Sequence, residues 1–265
     1  MRLTFLGTCA GTEPMPDNLH TSLLLEAGDH LYFFDAGESC SRTAHLLGHD
    51  LTRVRAVFLS HAHMDHVGGL PNLLWTVRKL HGLSSHPGLV RQPVSVYTPN
   101  MASWQAMNEF LTHTEGNFSL DFDLAAFPVT PGAIFEENGI SVQALPNRHI
   151  PPETTVSRVF RSYSFRVESD SASFVFSGDV ADVSEIAPLI LHRHTDLVLV
   201  ETGHHGVPEV CAWAERYRDN IGRLGFVHHG RAILNDPDGQ LALAREYTNI
   251  PVFFAHDRQC FDFVT

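Results

Sequence analysis

The most constraining feature of this sequence is the segment VFLSHAHMDHVGGL at residues 57–70, which places metal-binding side chains directly after a strand. The apolar residues 57–59 predict a buried strand. Four ligand-type residues follow it within six positions: His61, His63, Asp65 and His66. His61 and His63 are two apart, so their side chains point the same way in extended chain and can bind one metal ion together. Asp65 and His66 are adjacent and diverge, so they suit a second ion better than a shared one.

A centre for two metal ions needs more ligands than this segment supplies, and further candidates follow strand-like runs downstream. They are His149, Asp179 and His228. One assignment uses every candidate ligand. The first ion is bound by His61, His63 and His149, and the second ion is bound by Asp65, His66 and His228. Asp179 has two carboxylate oxygens and can bridge both ions.

Several features of this ligand set stay open at this point. His229 and His256 compete with His228 for the last ligand position. Nitrogen and carboxylate ligands without a thiolate suit Zn²⁺, Mn²⁺ or iron, and we expect two zinc ions. Asp35 ends the apolar run 31–34, where it is either the acceptor for the second ring N–H of a histidine ligand or a helix cap before Glu38.

Apolar runs alternate with helical patterns along the whole chain, which predicts a layered α/β protein. Strands are predicted at 3–6, 22–26, 31–34, 57–59, 94–97, 141–145, 163–167, 174–176, 197–200, 224–227 and 252–254. Helices are predicted at 38–47, 67–80, 100–112, 181–190, 208–217 and 238–247. Segments 82–93, 113–133 and 146–158 are interpreted as surface loops. No linker divides the chain, so we expect one domain over 1–265.

Composition excludes several classes of protein. No apolar stretch reaches the ~20 residues of a membrane span, and the start of the chain reads as a first strand, so we expect a cytoplasmic protein without membrane contact. The net charge of −12 disfavours a long nucleic acid as partner. The four cysteines are scattered and form no C-x-x-C pair, which disfavours a thiolate zinc site.

The signature H-x-H-x-D-H at 61–66 and several other stretches carry a family resemblance: FLGTCAGT at 5–12, FDAGE at 34–38, residues 60–71, His149, SYSFR at 162–166, SGD at 177–179 and VH at 227–228. The chain resembles the metallo-β-lactamase superfamily and, within it, the branch of ribonuclease Z and PhnP-type phosphodiesterases. The resemblance implies a four-layer αββα sandwich, with two mixed β-sheets flanked by helices. It also implies both metal ions at one edge between the sheets, the ligands assigned above and a homodimer.

Two departures from that branch bear on the activity. The tRNA-binding arm of ribonuclease Z is not recognisable between the metal motifs. The H-E-A-T-type segment of the family reads VETG at 200–203, without its leading histidine, although His204 and His205 follow it. The missing arm and the acidic net charge count against a tRNA 3′-end endonuclease, which remains an alternative.

The ligand set predicts a binuclear metal-dependent hydrolase. Two ions about 3.5–4 Å apart can lower the pKa of a bridging water to about 7, giving a hydroxide nucleophile that Asp65 can orient. We expect a phosphodiesterase acting on a small or short phosphodiester, of cyclic nucleotide or oligonucleotide type. His205 is the candidate general acid or phosphate contact, with His204 as the alternative. Two further functions stay open: a carboxyl-ester, lactone or thioester hydrolase, and a non-catalytic metal-stabilised sensor.

Overall fold

The computed structural model describes residues 1–13, 15–83, 92–114, 119–151, 153–154 and 158–263. The strands are β1 (Arg2–Gly7), β2 (Ser22–Ala27), β3 (His30–Phe34), β4 (Val54–Phe58), β5 (Val94–Thr98), β6 (Leu124–Pro128), β7 (Gly132–Glu137), β8 (Ile140–Pro146), β9 (Glu153–Thr154), β10 (Arg158–Val159), β11 (Tyr163–Glu168), β12 (Ser173–Phe176), β13 (Leu197–Thr202), β14 (Leu224–His229), β15 (Val252–Phe254) and β16 (Cys260–Asp262). The α-helices are α1 (Cys40–Leu46), α2 (Met64–Val67), α3 (Leu70–Leu83), α4 (Met101–His113), α5 (Val207–Glu215), α6 (Arg231–Asn235) and α7 (Pro237–Tyr247). Short 3₁₀ helices occupy Leu51–Arg53, Val183–Leu189 and Arg218–Asn220. Within these described ranges, no helix combines the length and apolar character needed to cross a membrane.

The described strands form two mixed sheets and one small ladder. The first sheet has the order β16-β1-β2-β3-β4-β5-β6, and β3 to β6 run parallel. The second has the order β15-β14-β13-β12-β11-β8-β7, and β12 to β15 run parallel. Strands β9 and β10 pair with each other. Because parallel neighbours end at the same side of a sheet, the loops after β12, β13 and β14 collect at one edge.

The central strands of each sheet are buried on both faces, which makes four layers. In β13, Leu197 and Leu199 join the core between the two sheets, whereas Val198 and Val200 join the core under the helices of the second sheet. Strand β2 alternates in the same way, with Leu24 packed beneath α1 and α3. Since side chains alternate across a strand, these near-continuous apolar runs fill two cores at once. The predicted αββα sandwich is confirmed.

The structure corrects the predicted loops. Segment 113–133 holds the end of α4, all of β6 and the start of β7. Strand β6 escapes a pattern-based prediction because it is an edge strand with exposed side chains, defined by its pairing with β5. Segment 146–158 includes β9 and β10, while residues 152 and 155–157 lie outside the described residues, as do 84–91 of the segment 82–93. The predicted helix 181–190 is a 3₁₀ helix that contains Pro188.

Buried Arg166 links the second sheet by hydrogen bonds to residues 189–195, which precede β13. The side chain of Arg166, in β11, is 1% exposed and forms an ion pair with Glu168 at 2.8 Å. Its guanidinium also donates to Leu189 O at 2.9 Å, His194 O at 2.9 Å and Thr195 Oγ1 at 2.5 Å. Burial lowers the pKa of this guanidinium. These contacts satisfy carbonyl groups that would otherwise be buried without a donor.

We therefore expect Arg166→Met to destabilise the fold, because it leaves the carbonyl acceptors of Arg166 buried and unpaired. The expected loss is about 2–4 kcal/mol in the free energy of unfolding, measured by urea denaturation. Arg218→Met is the matched control, since the Arg218 side chain is 60% exposed, and it should change stability by less than about 0.5 kcal/mol. Equal stability of the two variants would contradict this role for Arg166.

Candidate metal centre

The predicted ligands come from separate segments that end at one edge of the sandwich. Strand β4 leads into His61 and His63, and helix α2 carries Asp65 and His66. His149 follows β8, Asp179 follows β12, and His228 lies near the end of β14. The structure brings all of these side chains together in clusters whose ligand atoms lie within 4.8 Å of one another.

The first cluster contains His61, His63, His149 and Asp179. His63 Nδ1 lies 3.0 Å from His61 Nε2 and 3.2 Å from His149 Nε2. Asp179 Oδ2 lies 3.7 Å from His61 Nε2 and 3.6 Å from His149 Nε2. A metal–nitrogen distance of about 2.0–2.1 Å places the ligand atoms of a tetrahedral site about 3.4 Å apart, so the spacing of this cluster fits one ion.

The second cluster contains Asp65, His66 and His228 and also borders Asp179. Asp65 Oδ2 lies 3.3 Å from His66 Nε2 and 3.1 Å from His228 Nε2. Asp179 Oδ1 lies 3.3 Å from His66 Nε2 and 3.4 Å from His228 Nε2. One oxygen of Asp179 thus faces each cluster, which is the arrangement that a bridging carboxylate requires.

Unpaired buried atoms test whether this donor set fits a metal ion. His66 Nε2 and Asp179 Oδ1 are buried and have no hydrogen bond of acceptable geometry among the described residues. Buried polar atoms are normally paired, and an orphan costs free energy. Both atoms point into the second cluster, where a divalent cation would satisfy them. The ligand types, their spacing and these orphan atoms therefore fit divalent metal ions.

Asp35 orients His66, a candidate ligand, through the ring nitrogen that faces away from the cluster. Its Oδ2 accepts a hydrogen bond from His66 Nδ1 at 2.7 Å, and its two oxygens accept from Ser60 N at 2.7 Å and Ser60 Oγ at 2.8 Å. With its proton on Nδ1, His66 presents the Nε2 lone pair to the cluster. Of the two interpretations of Asp35, the acceptor role matches these contacts, because helix α1 begins after Ser39 instead.

Electrostatics at the centre favour positive charge. Burial opposes ionisation of Asp179, but His66 and His228 outweigh it and hold the pKa of this carboxyl well below its usual range. Burial likewise opposes a charge on His228, yet Asp179 and Asp65 raise the pKa of this imidazole to about 9. Burial and the neighbouring His66 lower the pKa of His61. The carboxylates of Asp179, which is buried, and Asp65, which is partly buried, thus attract cations to this point.

The structure separates the two adjacent histidines that follow β13. His205, the candidate general acid, is buried with Nε2 donating to Val180 O at 3.0 Å and Nδ1 lying 3.2 Å from Glu209 Oε1. Both ring nitrogens of His205 are therefore engaged away from the clusters. The ring of His204 instead lies beside His149, with ring centroids 4.9 Å apart, and lines the cavity at the centre. Of the two histidines, His204 is therefore the one that lines the cavity.

Glu201 is a functional candidate that the sequence reasoning missed. It is fully buried and accepts hydrogen bonds from His204 N at 2.9 Å and His204 Nδ1 at 3.0 Å. Although burial opposes ionisation, hydrogen bonds from His204 and His228 lower the pKa of Glu201 to about 2. The available signal was a carboxylate directly after the apolar run 197–200, the same pattern that singled out Asp35.

The competing candidates for the last ligand lie outside the clusters. His229 Nε2 donates to Ala255 O at 2.8 Å, and burial lowers the pKa of His229 to about 4. His256 is exposed. A third group of potential ligands contains His204, Asp179 and His228. Asp179 and His228 therefore belong to two groups each.

A cavity of about 480 Å³ opens onto the clusters. Its described lining contains ligands, glycines and cavity-facing side chains: Ala10, Gly11, Thr12, His63, Asp65, Asp179, Gly203, His204, His228, Gly230 and Arg231. A Cβ on Gly11 would lie 2.9 Å from Asp65 Oδ2, and one on Gly203 would lie 2.6 Å from His228 Nδ1. These glycines let the surrounding loops approach the ligands more closely than any other residue would allow.

Proteins named ribonuclease Z match this chain in sequence over different shares of their length. The ribonuclease Z of Mycobacterium marinum is 25% identical over 264 residues, which cover 91% of this chain and 90% of that protein. The ribonuclease Z of Methanothermobacter thermautotrophicus is 30% identical over 149 residues, which cover 56% of this chain and 45% of that protein. The chain thus spans less than half of the archaeal relative but nearly all of the mycobacterial one.

Solved structures match the fold over almost its full length. The short form of human tRNase Z has a TM-score of 0.71 at 19% identity, with complete coverage of both chains. A diphosphatase of the PhnP family has a TM-score of 0.65 at 18% identity, covering 99% of this chain and 98% of that one. The metallo-β-lactamase fold protein YhfI from Bacillus subtilis has a TM-score of 0.73 at 16% identity, with 98% of both chains covered.

These comparisons confirm the resemblance inferred from the motifs. The solved structures confirm the metallo-β-lactamase fold, and the named relatives fall in the ribonuclease Z and PhnP branch. A family model described as anti-Pycsar protein Apyc1 matches residues 1–211, which is most of the sequence. The chain therefore belongs to the anti-Pycsar protein Apyc1 family.

Proposed function

We propose that this metallo-β-lactamase-fold protein is a metal-dependent hydrolase that acts on a small or short phosphodiester, of cyclic nucleotide or oligonucleotide type. The observation that carries the proposal is Asp179, which lies between two ligand clusters and offers one oxygen to each. Paired divalent ions are typical of enzymes that cleave phosphate esters. The proposal includes the number and identity of the ions, which we take to be two zinc ions.

Two further observations support a small phosphodiester rather than a carboxylic ester. The cavity of about 480 Å³ lies within the range of small-molecule sites, roughly 300–1,000 Å³. By name, the relatives are ribonucleases, and one structural neighbour is a diphosphatase. A substrate the size of a nucleotide fits the volume of the cavity. It also fits the cleavage of phosphate bonds that the names ribonuclease and diphosphatase denote.

In the proposed mechanism, His61, His63 and His149 would hold one metal ion, Asp65, His66 and His228 would hold a second, and Asp179 would contribute to both sites. When bound, the two ions supply Lewis acidity, which neutralises charge on the phosphate oxygens and acidifies water. The chain itself positions the reactants. Asp35 and Ser60 hold His66 in one orientation, and Asp65 is the carboxylate placed to orient the attacking water.

His204 is the proposed proton donor to the leaving oxygen. Its Nδ1–H donates to buried Glu201, which leaves Nε2 free to face the cavity. The hydrogen bond with Glu201 raises the pKa of His204, which favours its protonated form. This arrangement is that of a general acid oriented by a carboxylate. The role first predicted for His205 thus passes to its neighbour, because His205 is turned towards Val180 and Glu209.

Removal of metal is expected to abolish hydrolysis of bis-p-nitrophenyl phosphate, and Zn²⁺ or Mn²⁺ should restore it. Asp179→Ala should lower kcat at least about 100-fold even with added metal, because loss of a mere supporting partner already costs 10–100-fold. Asp219→Ala is the control, since Asp219 is 93% exposed and lies in the 3₁₀ helix Arg218–Asn220, outside the ligand clusters. Full activity in the presence of a chelator would contradict a metal-dependent reaction.

The proton donor can be identified by the dependence on the leaving group. His204→Gln should lower kcat about 10²-fold or more for a 3′,5′-cyclic nucleotide, whose alkoxide leaving group needs a proton. The same variant should change kcat less than about tenfold for bis-p-nitrophenyl phosphate, because p-nitrophenolate leaves without a proton.

His205→Gln serves as the matched variant in this experiment. It should lower both rates equally if it lowers them at all, because both nitrogens of His205 make structural contacts. A leaving-group effect in His205→Gln and none in His204→Gln would return the role to His205.

A ribonuclease Z-like tRNA 3′-end endonuclease is the second candidate function. The relatives named ribonuclease Z favour it, one of them matching over 91% of this chain. The net charge of −12 counts against it, because binding a long polyanion depends on many Lys and Arg contacts. Incubation of metal-loaded protein with a precursor tRNA separates the candidates, and we expect no cleavage at the 3′ end under conditions where small diesters are hydrolysed.

A further inference from the structure

Among the described residues that line the cavity over the metal centre, Arg231 is the one arginine, and no lysine accompanies it. The carboxylates in the same lining belong to Asp65 and Asp179, and the whole chain carries a net charge of −12. An anionic substrate that approaches this cavity is repelled by most of the protein. A fixed guanidinium at the rim would therefore have a large effect on how well such a substrate binds.

The backbone that leads to Arg231 is held in place from both sides. Ala10 N donates to His229 O at 3.1 Å, and Gly230 N donates to Thr202 O at 3.3 Å. A Cβ on Gly230 would lie 2.8 Å from the same Thr202 oxygen. Arg231 follows three residues after the ligand His228, so these contacts fix its Cα at the edge of the centre, and its long side chain supplies the reach.

The guanidinium of Arg231 is shared with a carboxylate from the N-terminal loop. Arg231 Nη2 lies 2.5 Å from Glu13 Oε2, and the two side chains are 60% and 61% exposed. The hydrogen bond from Arg231 lowers the pKa of Glu13, so the partner is an anion. An ion pair this exposed is weak, and Arg231 can exchange Glu13 for another anion. A guanidinium has five N–H donors in a plane that matches phosphate.

We infer that Arg231 binds a phosphate oxygen of the substrate, and that Glu13 competes with the substrate for this guanidinium. The inference rests on the proposed function in taking the substrate to be a phosphate ester. On this inference, Arg231 selects anionic substrates, and the carboxylate of Glu13 limits their affinity. Arg231 is then a specificity-determining contact, and Glu13 occupies its guanidinium until the substrate displaces it.

Two arginines elsewhere in the fold do not share these properties. Arg148 adjoins His149 in sequence, but its Nε donates to Glu185 at 2.5 Å and it is not part of the described cavity lining. Arg218 pairs with Glu215 at 3.4 Å and is as exposed as Arg231, yet it lies in a different part of the fold. Arg218 therefore provides a control with the same exposure and the same kind of partner.

Calorimetric titration of inorganic phosphate into zinc-loaded protein tests the inference. Arg231→Gln should weaken phosphate binding about tenfold, because a charge-assisted contact is lost. Glu13→Gln should strengthen binding about threefold, because the competing carboxylate is removed. Arg218→Gln should leave the affinity unchanged. A pair that merely stabilised the fold would not produce changes of opposite sign in its two members.

Kinetics on bis-p-nitrophenyl phosphate supply a second readout. Arg231→Gln should raise KM about tenfold with a smaller change in kcat, and Glu13→Gln should lower KM. The inference is overturned if phosphate affinity in Arg231→Gln stays within about twofold of the parent protein, or if Glu13→Gln weakens binding. If the parent protein binds phosphate through Arg231 yet hydrolyses no diester, the proposed function fails while the inference stands.

Discussion

The position of Asp179 is the constraint on which the rest of the centre depends. Its carboxylate must reach ligands from both sheets, so the sheets must approach each other closely at this edge. Gly178 makes the approach possible, because its φ of +55° suits glycine and a Cβ there would lie 2.8 Å from the Cβ of Ser60. Ser60 in turn holds Asp35, which orients His66. The close packing of the two sheets at this edge thus also determines the positions of the candidate ligands.

Local patterns were sufficient to predict most of this arrangement. Apolar runs that end in a polar residue locate the strand ends, and parallel neighbours bring those ends to one edge. That logic identified Asp179 and His228 from short segments, although they lie far from His61 in sequence. The alternation of strand and helix patterns also predicted a layered α/β protein, whereas the four-layer sandwich was implied by the family resemblance.

Features that depend on contacts between distant segments escaped prediction. His204 and His205 are neighbours after the end of β13, where the alternation of extended chain no longer decides which ring faces the cavity. The hydrogen bond from His205 to Val180, 25 residues earlier, and the short-range contact of His204 with Glu201 decide it, and the apolar pattern of the sequence encodes neither. Strand β6 was missed for a similar reason, since its exposed side chains leave pairing with β5 as its defining interaction.

We propose that side chains from both sheets enclose two metal ions that share Asp179. Anomalous X-ray diffraction from a zinc-loaded crystal, recorded at the zinc absorption edge, tests this claim most directly. The account predicts two peaks about 3.5–4 Å apart, one beside His61 and His63 and the other beside Asp65 and His66, with Asp179 between them. A single peak, or peaks away from Asp179, would contradict it.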